Sequence, residues 1–331
     1  MRKAFDYSRL LKTLVAVAIM MVASVGFAQA GKLSIGHFVW VGYGPLYLAR
    51  DLGYFKENGL DVDLKVLDET SLSMAAQASG RLSGVATTID DLLKYRSKDL
   101  CFKTIFTMDS SNGGDGIVVK DDINSLADLK GKQVAMSEGS TSQFFISYLM
   151  KQQNIPLDSI ITTNMTADEA AVAFIAGHVP AAVTWEPNLT LVKTKKAGKV
   201  LIDSSQAPGV IVDVLELSCS VIQNQPDDVK ALVKGYYKAL DYMKAHPDET
   251  NAIMAKGVGG YLTEPKDFAA AKAGVKFYDK ADNIAYMGTI QSPGPLAKVI
   301  KLGNEIWTDL GRMPNGEVKY KDIVDTSFLD Q

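Results

Sequence analysis

The sequence predicts a protein of two α/β lobes, each built on a mostly parallel sheet flanked by helices. Apolar strands alternate with helices from residue 32 to about residue 220, which is typical of sheets covered on both faces. The chain is then largely helical. A weak internal repeat relates segments 31–35 and 80–88 to segments 131–135 and 177–185 at nearly the same spacing. The repeat predicts two lobes of similar construction.

Residues 1–30 have the three parts of a secretory signal peptide. Four basic residues precede an apolar run at 14–27, and the triplet Ala28-Gln29-Ala30 fits a signal-peptidase site. The run is shorter than the roughly 20 residues that cross a bilayer. We therefore predict cleavage after Ala30 and a periplasmic protein, rather than a membrane anchor.

The next elements follow in order. Residues 32–38 alternate like a strand, and the loop 39–44 leads into a helix with Pro45 in its first turn. Residues 60–67 return as a second strand, and the alternation continues. Past residue 220, the segment 226–245 has acidic residues in its first turn and one apolar stripe. This pattern predicts a long amphipathic helix.

Composition and charge exclude several classes of function. The 331-residue chain has a net charge of −3 and no basic cluster, which argues against nucleic-acid binding. The three histidines have no ligand-like spacing, so we predict neither a metal site nor a cofactor. Cys101 and Cys219 lie in apolar or strand-like surroundings. An oxidising compartment permits a disulfide, but a chain of this size does not need one, so we expect buried free thiols.

Five motifs carry a resemblance to a known family. They are WVGYGPLYLA at 40–49, GYFKENGLDV at 53–62, LADLKGK at 126–132, GSTS at 139–142 and WEP at 185–187. Together, over residues 32–250, they resemble the nitrate/sulfonate/taurine group of ABC-importer substrate-binding proteins, whose relatives also bind pyrimidine precursors of thiamine. The family usually has Asp where this chain has Pro180, at the start of a strand.

The resemblance implies the type II periplasmic-binding-protein fold, in which two lobes joined by two crossover strands close on a ligand by hinge motion. We expect residues 31–117 and 221–331 to form lobe 1 and residues 118–220 to form lobe 2. The expected hinges are 116–118 and 217–220. The resemblance also implies three partners: a small-molecule solute, a membrane permease and an ATPase. We expect a monomer.

The resemblance includes an enzymatic alternative, because thiamine-pyrimidine synthases share this fold. Those enzymes depend on a Cys-rich motif that this chain lacks, and no hydrolase or nucleotide-binding motif occurs in the required context. We therefore predict a binding protein and not an enzyme.

Candidate ligand-binding residues come from strand ends and loops, which open sheets direct toward a shared cleft. They are Trp40, Tyr43, Thr87, Thr88, Ser111, Asn112, Asp115, Ser140, Thr141, Trp185, Glu186 and Asp213. Ser140 and Thr141 precede a helix, where they either offer an anion site with its free N–H groups or only cap it. For the loop 110–116 the alternative is a simple turn, and for the aromatic residues it is core packing, but we favour ligand contact for both.

Two of these acidic residues point to the charge of the solute. Asp213 stands inside an apolar strand, where a carboxylate needs a partner, and Glu186 follows a strand end. Donors at Ser140 and Thr141 opposite these carboxylates predict a zwitterion such as a taurine-like aminoalkanesulfonate, or another amine, with aromatic rings around its cation. The alternatives are a plain anion, a pyrimidine or thiamine precursor, and a protein that presents its ligand to a membrane sensor.

Overall fold

The structure is a computed structural model that describes residues 30–261 and 264–330. The predicted signal peptide lies outside the described residues apart from Ala30, and its cleavage stays a prediction. Within the described ranges, no helix combines the length and the apolar character needed to cross a bilayer.

Strands and helices alternate along the first two thirds of the chain, as predicted. The strands are β1 (Gly31–His37), β2 (Leu60–Val66), β3 (Gly84–Thr88), β4 (Phe102–Ser111), β5 (Asp115–Val119), β6 (Gln133–Met136), β7 (Ile161–Asn164), β8 (Ala181–Trp185), β9 (Lys199–Asp203), β10 (Val212–Ser218) and β11 (Val275–Phe277). The helices are α1 (Gly44–Asp51), α2 (Thr70–Ala78), α3 (Ile89–Leu93), α4 (Thr141–Gln152), α5 (Ala167–Ile175), α6 (Asn188–Lys195), α7 (Cys219–Asn224), α8 (Pro226–Ala245), α9 (Pro247–Val258), α10 (Pro265–Lys272), α11 (Lys280–Met287), α12 (Leu296–Asp309) and α13 (Tyr320–Ile323).

The strands form two sheets with one shared pattern. The first sheet has the order β11-β4-β10-β3-β1-β2, and the second has the order β7-β6-β8-β5-β9. β1 lies parallel to β2 and β3, and β6 lies in the same way parallel to β7 and β8. The repeat segments identified in the sequence fall on β1 and β6 and on β3 and β8. We call the elements around these sheets the first lobe and the second lobe.

The fold class is confirmed as two mixed sheets flanked by helices, but the sheets are less parallel than expected. In each sheet one strand arrives from the other sheet and runs antiparallel to its neighbours. This strand is β10 between β3 and β4 in the first sheet, and β5 between β8 and β9 in the second.

The chain crosses between the sheets twice. It leaves the first sheet after Ser111 and enters the second at Asp115, and it returns between Asp203 and Val212. The two segments expected to be hinges are therefore not the segments that cross between the sheets. Segment 116–118 lies inside β5, and segment 217–220 spans the end of β10 far from the crossing and the start of α7. The lobe boundaries at 117/118 and 220/221 stay a prediction.

The helices begin where local sequence satisfies their free N–H groups. The side chain of Ser140 accepts a hydrogen bond from the Ser142 N–H at the start of α4. Thr166 and Glu169 form a capping box at the start of α5. The predicted amphipathic helix is α8, with the same bounds, and its apolar stripe is buried. Helix α12 contacts both lobes, because Val299 packs in the first-lobe core and Trp307 in the second-lobe core.

Cys101 and Cys219 form a disulfide, with Cα atoms 5.4 Å apart, and the expectation of buried free thiols is wrong. Both residues are half-buried. Cys101 immediately precedes β4 and Cys219 immediately follows β10, and Phe102 lies opposite Ser218 in this antiparallel pair. The strand register therefore brings the two cysteines together. Because they are 118 positions apart, the residues around each cysteine in the sequence do not predict this pairing.

Candidate functional site

The carboxyl ends of β3 and β8 lie close together across the cleft between the lobes. Thr88, at the end of β3, is hydrogen-bonded through its hydroxyl to the hydroxyl of Thr141 in the second lobe, with an O–O distance of 2.9 Å. Trp185, at the end of β8, donates its Nε1 hydrogen to the Val39 carbonyl in the first lobe at 3.0 Å. These bonds hold the lobes in contact at the level of the strand ends.

Two small spaces lie between the lobes, and we call them the inner and outer chambers. Trp40, Thr88, Asp115, Ile211 and Asp213 line only the inner chamber, of about 10 Å³. Asp68, Glu69, Thr70, Asp91, Ser137, Ser140 and Ala167 line only the outer chamber, of about 20 Å³. Phe38, Thr141 and Trp185 line both. Each volume is that of about one water molecule, so a solute needs the lobes to part before it enters.

Three buried aspartates lie together near the inner chamber, and two of them, Asp115 and Asp213, line it. Asp109 on β4 lies opposite Asp213 on β10, and Asp115 begins β5. Their exposed fractions are 0%, 1% and 4%. Asp213 accepts a hydrogen bond from the Tyr43 hydroxyl at 2.5 Å, which supplies the partner that its apolar strand requires.

The other two aspartates also have neutral partners. Asp109 accepts a hydrogen bond from Trp40 Nε1 at 3.1 Å, while its second oxygen has no partner among the described residues. Asp115 lies beside the Ser111 hydroxyl. No lysine, arginine or histidine in the described ranges is paired with any of the three carboxylates.

Burial without a cation raises the pKa of each aspartate. The pKa of Asp109 rises to about 8 and that of Asp115 to about 7 because burial disfavours the charged form. The pKa of Asp213 rises well above its usual value, through burial and through the nearby charge of Asp109. The inner chamber therefore holds protonated or repelling carboxyl groups until a positive charge enters.

We expect the Tm of the ligand-free protein to fall as the pH rises from 6.5 to 8.5. Carboxyl groups with a raised pKa keep their protons in the folded state, whereas the unfolded chain has already lost them. Stability therefore falls as the pH rises, until the folded carboxyl groups deprotonate at about pH 7 for Asp115 and about pH 8 for Asp109. His37, whose pKa burial lowers to about 4, changes charge on unfolding only below this window. A thermal-shift series with Asp109→Asn, which should flatten the slope, measures the effect. A Tm that is constant or rises contradicts it.

Most of the predicted site residues are brought to the two chambers. Trp40, Thr88, Asp115, Thr141, Trp185 and Asp213 line the inner chamber, Ser140 lines the outer chamber, and Tyr43 holds Asp213. Ser140 also caps α4 and donates its hydroxyl to the Ser137 carbonyl at 2.8 Å.

Besides Tyr43, four predicted residues do not line either chamber. Thr87 is buried against α2, where its hydroxyl bonds to that of Thr70 at 2.7 Å. Ser111 bonds to the Ser204 hydroxyl at 2.6 Å and reaches the inner chamber only through Asp115. Asn112 is exposed, and its backbone N–H bonds to the Gly274 carbonyl.

Glu186 is the fourth of these residues and turns into the first turn of α6. Its carboxylate accepts hydrogen bonds from the backbone N–H and the hydroxyl of Thr190, at 2.9 and 3.0 Å. The acidic group that sequence reasoning placed beside Asp213 is therefore supplied by Asp109 and Asp115.

Sequence reasoning missed several residues of the site. Phe38 lines both chambers, with its ring centroid 5.2 Å from that of Trp185. Asp109 carries the same signal that identified Asp213, a carboxylate within an apolar stretch of strand. Glu69 lines the outer chamber and accepts a hydrogen bond from the Ser137 hydroxyl at 2.8 Å. No local pattern distinguishes Glu69 from a surface residue.

Comparison with known proteins places the chain in a family. Residues 40–250 match the family model described as NMT1/THI5 like. The chain belongs to the NMT1/THI5-like family. This NMT1/THI5-like protein is 26% identical to the taurine-binding periplasmic protein of Escherichia coli (strain K12), over 84% of its own length and 87% of that relative. It is also 26% identical to a putative aliphatic sulfonates-binding protein of Bacillus subtilis (strain 168), with 69% and 70% covered.

Solved structures share the fold of this NMT1/THI5-like protein. The alkanesulfonate-binding protein of Xanthomonas axonopodis pv. citri, bound to MOPS, has a TM-score of 0.74 at 15% identity, covering 91% of this chain and 100% of that one. The periplasmic nitrate-binding protein of Synechocystis PCC 6803 has a TM-score of 0.64 at 14% identity, with 92% and 98% covered. The predicted resemblance and the predicted periplasmic-binding-protein fold are confirmed.

Proposed function

We propose that this protein is an extracytoplasmic solute-binding protein of an ABC importer, and that it captures a small amine-bearing solute between its two lobes. The observation that carries the amine is the convergence of Asp109, Asp115 and Asp213 without a basic partner. Isolated carboxylates are costly to bury, and a positive charge placed among them offsets that cost.

The aromatic residues support the same kind of solute. Trp40, Trp185 and Phe38 line the inner chamber beside the carboxylates, and an ammonium group is attracted to the face of such rings. Thr88 and Thr141 add hydroxyl groups near the start of α4, where an anionic group finds donors. A zwitterion such as an aminoalkanesulfonate and a simple amine both fit this arrangement.

The relatives support the role in transport. Those compared above are named as periplasmic or sulfonate-binding proteins, which favours binding over catalysis and a periplasmic location. We propose a permease and an ATPase as partners, and a monomer as the working form. The alternative function is presentation of the ligand to a membrane sensor, which would use the same closed form. Genes for a permease and an ATPase next to the gene of this protein would favour import.

A panel of matched compounds tests the proposal by thermal shift and titration calorimetry. We expect taurine and short alkylamines to raise the Tm, and ethanesulfonate, which is taurine without its amine, to leave it unchanged. A ligand at one hundred times its Kd stabilises a protein by about 2.7 kcal/mol, so a weak binder is still detected. Stabilisation by ethanesulfonate or nitrate without any response to amines would overturn the proposal.

A further inference from the structure

The two chambers are both acidic, and an aromatic constriction separates them. Asp115 and Asp213 face the inner chamber, and Glu69 and Asp91 face the outer one. Phe38 and Trp185 line both chambers together with Thr141, so the two rings form most of the wall that the two spaces share. A solute that occupies both chambers has one end at each group of carboxylates and its middle against these rings.

The outer chamber has two carboxylates, those of Asp68 and Glu69, that form no ion pair within the described residues. Lys94 forms an ion pair with Asp91 and donates to the Gly139 carbonyl, and its ammonium lies 4.1 Å from the ring centroid of Trp307. Asp91 is therefore neutralised, and Lys94 does not line the chamber itself. Glu69 has the Ser137 hydroxyl as its partner and forms no ion pair within the described residues.

Two larger spaces adjoin the outer chamber. One, of about 520 Å³, is lined by Glu69 and Asp91 together with Lys94 and Arg312, and the other is acidic. The acidic space has a volume of about 280 Å³, and Asp68, Asp168 and Glu169 contribute to its lining together with Phe38 and Trp185. No lysine, arginine or histidine lines this space or either chamber in the described part of the chain. Next to the inner chamber, but not in its lining, the second oxygen of the fully buried Asp109 has no partner among the described residues.

We infer that the solute is a diamine: one basic nitrogen lies at Asp115 and Asp213 in the inner chamber, the other lies at Glu69, and an apolar linker lies against Phe38 and Trp185. This inference rests on the proposed function and narrows its substrate class. A zwitterion that spans both chambers puts its anionic group beside Glu69, where like charges repel. A monoamine leaves Glu69 without a cation when the closed lobes exclude water.

Calorimetry with matched pairs tests the diamine directly. The probes are the α,ω-diamines of three to five carbons, each compared with the n-alkylamine of the same carbon number, and taurine, at pH 8 and low salt. We expect the best diamine to bind about 10- to 100-fold more tightly than its monoamine, as a further charge pair inside a closed site provides. Taurine should bind more weakly than that diamine.

Two variants assign the effect to Glu69. Glu69→Gln should reduce the ratio between diamine and monoamine affinities to near one. Ser137→Ala removes the hydrogen bond that Glu69 accepts across the lobes but keeps the carboxylate, so it should leave the ratio unchanged. The readout is the ratio of diamine affinity to monoamine affinity. A variant that only weakens lobe closure lowers both affinities equally and leaves this ratio unchanged.

Three results would overturn the inference and leave the proposed function standing. They are a diamine that binds no more tightly than its monoamine, taurine that binds more tightly than every diamine, and a ratio that Glu69→Gln does not change. A protein to which no amine of either class binds would overturn the proposed function as well.

Discussion

Asp213→Asn is expected to weaken the binding of amines by about 30- to 1,000-fold, and to raise the Tm of the ligand-free protein at pH 8. Loss of one partner from a buried charge pair costs about 2–4 kcal/mol, which corresponds to this range. Asn keeps the shape of the side chain and can still accept the Tyr43 hydroxyl, so the change removes charge without leaving a cavity.

The opposite signs of the two effects follow from the same electrostatics. Asp213 faces Asp109 across the β4–β10 pair, and the pKa values of both are raised by burial. At pH 8 the ligand-free protein bears the cost of ionising carboxyl groups that no cation compensates, and the bound cation removes that cost. If Asp213→Asn both stabilises the ligand-free protein and weakens its binding of amines, the carboxylate of Asp213 serves ligand binding at a cost to stability.

Calorimetry measures the affinity, and thermal shift measures the stability, with Glu216→Gln as the matched control. Glu216 is also buried on β10, its pKa is raised to about 8 by burial, and Gln77 donates to both of its oxygens, at 2.8 and 3.0 Å. It lines neither chamber. Its neutralisation should leave amine affinity within about 3-fold of the parent. Equal losses of affinity in both variants would contradict the assignment of Asp213 to the site.

The part of the site that could be predicted from the sequence is the part with a local signature. Asp213 interrupts an apolar strand, and the Gly-turn-strand repeat predicts that Thr88 and Trp185 end equivalent strands. Those two residues do line the same chamber, because both sheets use the same strand pattern. The second strand of each repeat therefore ends at the cleft.

The rest depends on contacts between distant segments. Glu186 follows a strand end, as a ligand-binding residue would. Its side chain turns away from the chambers because the backbone N–H and the hydroxyl of Thr190 donate hydrogen bonds to its carboxylate. Asp109 joins the site only because β4 pairs with β10, which returns from the second sheet. The same pairing places Cys101 beside Cys219, so one non-local register accounts for both the missed carboxylate and the missed disulfide.

Loss of the Cys101–Cys219 disulfide is expected to lower the free energy of unfolding by about 3–5 kcal/mol. The bond joins residues 118 positions apart, and the chain between them includes β4, the whole second sheet and β10. Without the bond, the unfolded chain gains the conformational freedom of that long loop. Urea unfolding of the Cys101→Ser/Cys219→Ser variant against the oxidised parent measures the difference.

Amine affinity should change by less than about 3-fold in the same variant, because the disulfide and the site lie at opposite ends of one strand pair. Cys101 and Cys219 flank the Phe102–Ser218 end of β4 and β10, whereas Asp109 and Asp213 lie near the crossing. Added reductant should destabilise the parent and leave the variant unchanged, which separates the bond from the substitutions. A parent whose unfolding midpoint is insensitive to reductant would show that the two thiols are not paired, and a large loss of affinity would show that this end of the sheet does influence the chambers.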